Sequence, residues 1–73
     1  MSTIIRELRI KLGLSQANVA YYIGIPLRTL EDWESGKSKP ASYVEALIYE
    51  KLLPLTPEQV QLIKQQTPRR RNK

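Results

Sequence analysis

Apolar residues recur along the chain at the three- and four-residue spacing of amphipathic helices, with polar residues between them. Glycine and proline interrupt the pattern repeatedly, so the periodic segments are short. No segment shows the alternation of a half-buried strand, and no internal repeat is present. Five helices are predicted: from about Thr3 to Leu12, from Gln16 to about Ile23, between Pro26 and Gly36, from Ala41 to Leu53, and between Thr56 and Pro68.

Residues suited to helix ends support these boundaries. Ser15 is a suitable N-cap for the second helix, and Gly24 can end that helix in the left-handed conformation. Thr56 can cap the fifth helix, and Gln59 stands at the spacing that completes a capping box. Pro57 fits the first position of the same helix, because its fixed φ suits the first turn.

The last two helices carry apolar stripes of their own. The fourth helix is predicted from Val44, Leu47, Ile48 and Leu52. The apolar residues around the fifth helix are Leu55, Val60 and Ile63. This second set either closes the domain core or forms a dimer face, and the pattern alone leaves both alternatives open.

The length of 73 residues allows one domain. A chain of this size buries only about 60 % of its unfolded surface, and the absence of cysteine excludes disulfide staples. The fold class is therefore predicted to be all-α, a compact bundle of about five short helices. We expect the domain to span residues 1–66 and a basic tail to span residues 67–73.

The sequence lacks the residues that several classes of function require. Without histidine and cysteine, zinc sites built from those residues and a histidine general base are excluded. Glu31, Asp32 and Glu34 share one short helix, but no cleft or metal-ligand spacing accompanies them, so neither an enzyme nor a cofactor is expected. No apolar run approaches the roughly 18 residues of a membrane span, and the first residues do not resemble a signal peptide. We expect a cytoplasmic protein.

The net charge of +5 favours a nucleic-acid partner, but its distribution restricts that argument. Residues 1–63 carry seven basic and seven acidic side chains. The whole excess lies in Lys64, Arg69, Arg70, Arg71 and Lys73. A DNA-binding role for the domain must therefore rest on its pattern of residues rather than on its charge.

The second and third helices are predicted to meet at a tight corner. Ala20 is small enough for a close helix crossing, Gly24 supplies the turn, and Ile25 anchors the turn in the core. Leu30 and Trp33 share one face of the third helix and would pack it back on the second. Trp33 is therefore interpreted as a core residue rather than a stacking platform. The combination of these residues indicates a helix-turn-helix.

The segment from Leu14 to Pro40, LSQANVAYYIGIPLRTLEDWESGKSKP, resembles the Cro and phage-repressor helix-turn-helix family of the xenobiotic response element type. The likeness covers about Ile5 to Leu53 and implies a lambda-repressor-like DNA-binding domain whose third helix enters the major groove. It also implies a structural acid at Glu34 paired with an arginine of the first helix, for which Arg9 is the candidate.

The polar face of the third helix supplies the candidate base-reading residues. If Leu30 faces the core, the helical repeat turns Arg28 outward in the first turn, where groove-entering helices contact bases. Its guanidinium can bond guanine O6 and N7. Alternatively, Arg28 is a solvated charge tied to the nearby carboxylates. The candidate base-reading residues are Arg28, Leu27, Thr29, Asp32 and Glu31.

Phosphate contacts are expected on either side of this face. The start of the second helix favours an anion, and the loop after the third helix is basic. The candidate phosphate-binding residues are Gln16, Ser35, Lys37, Ser38 and Lys39. The tail residues Arg69, Arg70, Arg71 and Lys73 either add DNA contacts, to phosphates or in a minor groove, or merely keep the protein soluble.

These observations predict a small bacterial or phage transcriptional regulator, repressor-like, that binds double-stranded DNA in a sequence-specific manner. Operators of such domains are usually two-fold symmetric, so a homodimer on a palindromic operator is expected. The alternative is a protein-interaction module, such as an antitoxin that neutralises a partner toxin with the same fold. The acidic residues of the third helix would then meet a basic partner.

Overall fold

The computed structural model describes residues 4–68 and consists, within that range, of helices without strands. The elements are α1 (Ile4–Leu12), α2 (Gln16–Ile23), α3 (Leu27–Ser35), α4 (Ser42–Leu52) and α5 (Pro57–Gln66). The predicted all-α class is confirmed, and the helix boundaries agree with the prediction to within a residue or two. Thr3, the predicted start of the first helix, lies outside the described residues. None of the helices within residues 4–68 has the length and apolarity needed to cross a membrane.

The core draws one or more side chains from every helix. Helix α1 packs on α4, and α2 packs on both α3 and α5. The most completely buried large side chains are Leu30, Leu52 and Val19. The other buried apolar residues are Ile5, Leu14, Ala20, Ile48, Val60 and Ile63. Trp33 packs against this cluster while only partly buried, which agrees with its predicted core role.

The corner between α2 and α3 is made by Gly24 and Ile25. Gly24 adopts φ 90° and ψ 33°, the left-handed region. The N–H groups of Gly24 and Ile25 both donate to the carbonyl oxygen of Ala20, at 2.8 and 3.0 Å. Ile25 packs against the core and Pro26 stands at the N-cap of α3, so only three residues separate the two helices. The predicted helix-turn-helix corner is thus present.

Replacing Gly24 by alanine is expected to cost about 1 kcal/mol of stability. A Cβ atom at this position meets nothing within 4 Å, so the cost comes from the positive φ alone. Gly24→Asn serves as the matched control and should cost less, because asparagine tolerates the left-handed region. Urea unfolding of the two variants measures the difference. If the alanine variant were as stable as the unmodified protein, the positive φ of Gly24 would not be what makes glycine necessary at this turn.

Helices α4 and α5 complete the bundle, with one difference from the sequence pattern. Leu47 is 57 % exposed rather than part of the inner stripe of α4. It lies one residue before the buried Ile48 and is therefore turned about 100° away around the helix axis. The inward stripe consists of Val44, Ile48 and Leu52.

Helix α5 faces the core and begins at the predicted capping box. The Thr56 N–H donates to Gln59 Oε1 at 2.9 Å, and the Gln59 N–H donates to Thr56 Oγ1 at 3.2 Å. Val60 and Ile63 are buried within the domain. Of the two alternatives for this apolar set, closure of the core is therefore the one observed, and the dimer-face alternative is wrong for Val60 and Ile63.

Candidate nucleic-acid interface

The outer face of α3 carries the residues that were predicted to read bases. Leu30 is completely buried on one side of the helix, which turns Arg28, Glu31 and Ser35 into solvent on the other. Asp32 is half-buried beside them. Leu27 and Thr29 are half-buried at the edges of this face. All the candidate base-reading residues therefore belong to one surface, with Arg28 in the first turn of the helix.

The Arg28 side chain is exposed, and within residues 4–68 no hydrogen bond or ion pair holds it. The structure shows Arg28 as a solvated charge, without the tie to Glu31 or Asp32 that the alternative included. The helical spacing brings these carboxylates within reach, but an exposed pair gains too little to order two long side chains. All five N–H donors of Arg28 remain available for an external acceptor.

Behind this face, a largely buried polar network connects α3 to α1 and α2. Arg9 donates from Nε to Glu34 Oε2 and from Nη2 to Glu34 Oε1, both at 2.9 Å. Its Nη1 donates to the carbonyl oxygen of Leu14 at 2.9 Å. The side chains of Arg9 and Glu34 are 13 % and 5 % exposed, respectively. The ion pair implied by the family resemblance is therefore present, and it is bidentate.

Gln16 belongs to the same network, which sequence reasoning did not foresee. Its Nε2 donates to Glu34 Oε1 at 2.9 Å, so the first residue of α2 is bound to the last turn of α3. The bond uses one of the two N–H groups of the amide, and the other remains for a phosphate. The sequence shows only that α3 contains an acid; that this acid faces the start of α2 is seen only in the structure.

The end of α3 is fixed by backbone hydrogen bonds around Gly36. The N–H of Gly36 donates to Trp33 O at 3.3 Å, and the N–H of Lys37 donates to Asp32 O at 2.9 Å, the two bonds of a Schellman motif. The Ser35 hydroxyl also donates to Asp32 O, at 3.2 Å. Lys37, Ser38 and Lys39 follow as exposed residues. The predicted phosphate-binding loop is therefore on the surface, directly after the candidate base-reading face.

A second polar link, also missed from sequence, joins α2 to the end of α5. The Asn18 side chain donates from Nδ2 to Thr67 Oγ1 at 3.1 Å. The same side chain accepts from the Ser15 N–H at 2.8 Å, which completes a capping box at the start of α2. Ser15 was predicted as the cap, whereas the partnership with Asn18 was not. The tail residues Arg69, Arg70, Arg71 and Lys73 lie outside the described residues.

The architecture and this surface define a class of protein: an all-α domain built around a helix-turn-helix. Residues 5–60 match the helix-turn-helix family, so the chain belongs to that family, in its Cro/repressor type. The family is DNA-binding and non-enzymatic. No curated relative and no solved structure matches the chain.

Proposed function

We propose that α3 enters the major groove of double-stranded DNA and that Arg28 is its principal base-reading residue. The main supporting observation is an exposed guanidinium, with no hydrogen bond or ion pair in the described part of the chain, in the first turn of the second helix of a helix-turn-helix. Such a group bonds guanine O6 and N7 without first breaking an internal bond. Leu27 and the Thr29 methyl group, at the edges of the same face, would contact thymine methyl groups.

Phosphate contacts would hold α3 in place. The exposed Ser35, Lys37, Ser38 and Lys39 follow the reading face, and Gln16 stands at the start of α2 with a free amide N–H. Cationic and hydrogen-bonding groups of this kind position a protein on the DNA backbone without reading sequence. They supply the attraction to DNA that Arg28 alone would not provide.

The acidic residues of α3 favour selective rather than general DNA binding. Glu31 is exposed and Asp32 half-buried, and neither carboxylate forms a hydrogen bond or ion pair within the described range. Both repel phosphates, which weakens binding to arbitrary sequences. Both can also accept a hydrogen bond from cytosine N4. A duplex that places cytosine opposite these residues would therefore be preferred.

We further propose that the protein acts as a small repressor-like regulator and binds a palindromic operator as a homodimer. Tyr43, Leu47 and Leu53 on and beside α4 are large apolar residues more than half exposed, which favours contact with another protein surface. The two half-sites would lie about one helical turn apart. The operator itself can be obtained by selection from random duplexes, and a two-fold symmetric consensus is expected.

Replacing Lys37 and Lys39 together by glutamine should weaken binding to all duplexes by a similar factor. Each phosphate contact contributes about 0.9 to the slope of log affinity against log salt, so the slope should fall by about 1.8. Fluorescence anisotropy across a salt series measures it. Lys11→Gln, an exposed lysine on α1, is the matched control and should leave the slope unchanged. A flat slope for the unmodified protein would contradict groove binding.

The second candidate function is that of an antitoxin-like protein-interaction module. Two observations favour it: the apolar side chains exposed on α4, and the carboxylates of Glu31 and Asp32 on α3, which have no hydrogen bond or ion pair among the described residues. Together they suit a partner with apolar and basic groups. The salt series separates the two functions, because binding through an apolar surface lacks the steep salt dependence of phosphate contacts. Absence of binding to any duplex would favour this candidate.

A further inference from the structure

Two shallow recesses adjoin along one side of α1. The first, of about 580 Å³, lies between α1 and α4, and the apolar residues in its lining include Leu8 and Tyr49. The second, of about 260 Å³, lies between the end of α1 and α5, and its lining includes Leu12 and Leu55. Lys11 borders both recesses. Together they form an apolar surface, the α1 groove, that residues 4–68 leave open to solvent.

The charged residues of the α1 groove are separated by sign. Glu7, Glu45 and Glu50 border the first recess. Lys11 and Lys64 border the second, and no acidic residue is among the described residues that line it. Glu7 and Glu45 have partners within the chain, whereas Glu50 and the two lysines form no hydrogen bond or ion pair among residues 4–68. The groove therefore has an acidic end and a basic end.

A surface with this polarity is complementary to a second copy of itself. An interface with two-fold symmetry places the same patch of both copies face to face and reverses their direction. With the axis near Leu8, the acidic end of each copy meets the basic end of the other, and the apolar residues between the ends face one another. A partner of a single charge would be repelled at one end of the groove, whereas a second copy is attracted at both ends.

The groove also distinguishes between two exposed sides of α4. Ala46 and Tyr49 line the first recess. Leu53 comes seven residues after Ala46 and therefore lies on nearly the same side of the helix, where it is 55 % exposed. Leu47 follows Ala46 by one residue and is turned about 100° away from it. Leu53 thus extends the apolar surface of the α1 groove, and Leu47 belongs to a different side.

We infer that the α1 groove is the surface through which the two copies of the proposed homodimer meet, with the acidic end of each copy against the basic end of the other. This inference rests on the dimerisation part of the proposed function and is independent of base reading by Arg28. Burial of the apolar lining stabilises the dimer, and the charged ends determine its orientation. No residue of α3 lines either recess, so the base-reading face stays accessible to DNA.

A steric block in the groove tests this placement. The mass of the full-length protein is measured by sedimentation equilibrium without DNA, and the unmodified protein is expected to show the mass of two chains. Ala46→Arg should give the mass of one chain, because a long side chain then fills the first recess. Leu47→Arg, an exposed position on the neighbouring side of α4, is the matched control and should remain dimeric. Thermal unfolding checks that both variants are folded.

An exchange of charges tests the orientation. One variant carries Lys11→Glu and Lys64→Glu, which together reverse the basic end, since either lysine alone keeps it positive. The other carries Glu7→Lys and Glu50→Lys. Each variant alone should raise the dissociation constant of the dimer by about a hundredfold, because like charges then face each other. An equal mixture should restore the dimer, because both contacts again join opposite charges.

The outcomes separate this inference from the proposed function. Dimers that persist in Ala46→Arg, or that are lost only in Leu47→Arg, overturn the inference and leave the homodimer to another surface. A mixture of the charge variants that stays monomeric overturns the proposed orientation. An unmodified protein with the mass of one chain at every concentration overturns the homodimer and the inference together, and it leaves the groove to a different partner. Monomeric Ala46→Arg, dimeric Leu47→Arg and a restored mixture support the α1 groove as the dimer interface.

Discussion

Replacement of Glu34 by alanine is expected to destabilise the domain by about 3 kcal/mol. The carboxylate accepts two bonds from Arg9 and one from Gln16, and it is 5 % exposed. Its removal leaves the Arg9 guanidinium largely buried with a single remaining acceptor, the Leu14 carbonyl oxygen. An uncompensated buried charge costs far more than an exposed ion pair contributes.

The size of the effect makes it readily measurable. A domain of 73 residues has a total stability of only about 4–11 kcal/mol. A loss of about 3 kcal/mol should therefore lower the melting temperature by more than about 10 °C. Thermal unfolding followed by circular dichroism provides the measurement.

Glu31→Ala is the matched control, because Glu31 is an exposed acid on the same helix without a partner among the described residues. Its stability should stay within about 0.5 kcal/mol of the unmodified protein. The double variant Arg9→Met, Glu34→Leu should recover much of the loss, since it removes both charges together. A Glu34→Ala protein as stable as Glu31→Ala would show that the network contributes nothing to the fold.

Arg28→Ala is expected to abolish sequence preference while the fold remains intact. One bidentate arginine–guanine contact is worth about 1–3 kcal/mol of discrimination, or roughly tenfold to more than a hundredfold in relative affinity. The exposed side chain forms no hydrogen bond or ion pair among residues 4–68, so its removal should leave the melting temperature unchanged. The measurement is affinity for the selected operator relative to a scrambled duplex at one salt concentration.

Arg28→Lys is the more discriminating control for this role. Lysine keeps the positive charge but lacks the planar fork that bonds two guanine acceptors at once. We expect the lysine variant to retain general attraction to DNA and to lose most of its preference for the operator. Preference equal to that of the unmodified protein in both variants would remove Arg28 from the reading role. Preference lost only in the alanine variant would assign it a charge contact instead.

Most of the fold follows from local signals that a single sequence contains. Ser15 and Thr56 mark helix starts, Gly24 marks the corner, and the spacing from Leu30 determines which side of α3 faces solvent. Each of these features depends on residues within one or two helical turns of each other. Hydrogen-bond geometry and the helical repeat allow few arrangements over such short distances, so the features can be predicted. The outward position of Arg28 was predictable for this reason.

The long-range polar links were harder to predict from the sequence than these local features. The bond from Asn18 to Thr67 joins residues 49 positions apart, and that from Gln16 to Glu34 joins residues 18 apart. No periodicity reports such distances, because they depend on how α2 packs on α3 and α5. The pairing of Arg9 with Glu34, 25 positions apart, was anticipated only through the family resemblance. The exposure of Leu47 likewise depends on which neighbours α4 meets.

The shielding of the Arg9–Glu34 pair has a practical consequence for handling the protein. Dissolved ions screen exposed charges but reach a pair that is 5 % and 13 % exposed only weakly. The solvent-facing lysines after α3 have no such protection. Washing with concentrated electrolyte should therefore strip copurifying nucleic acid from the domain without unfolding it, and dilution should restore a molecule ready to bind.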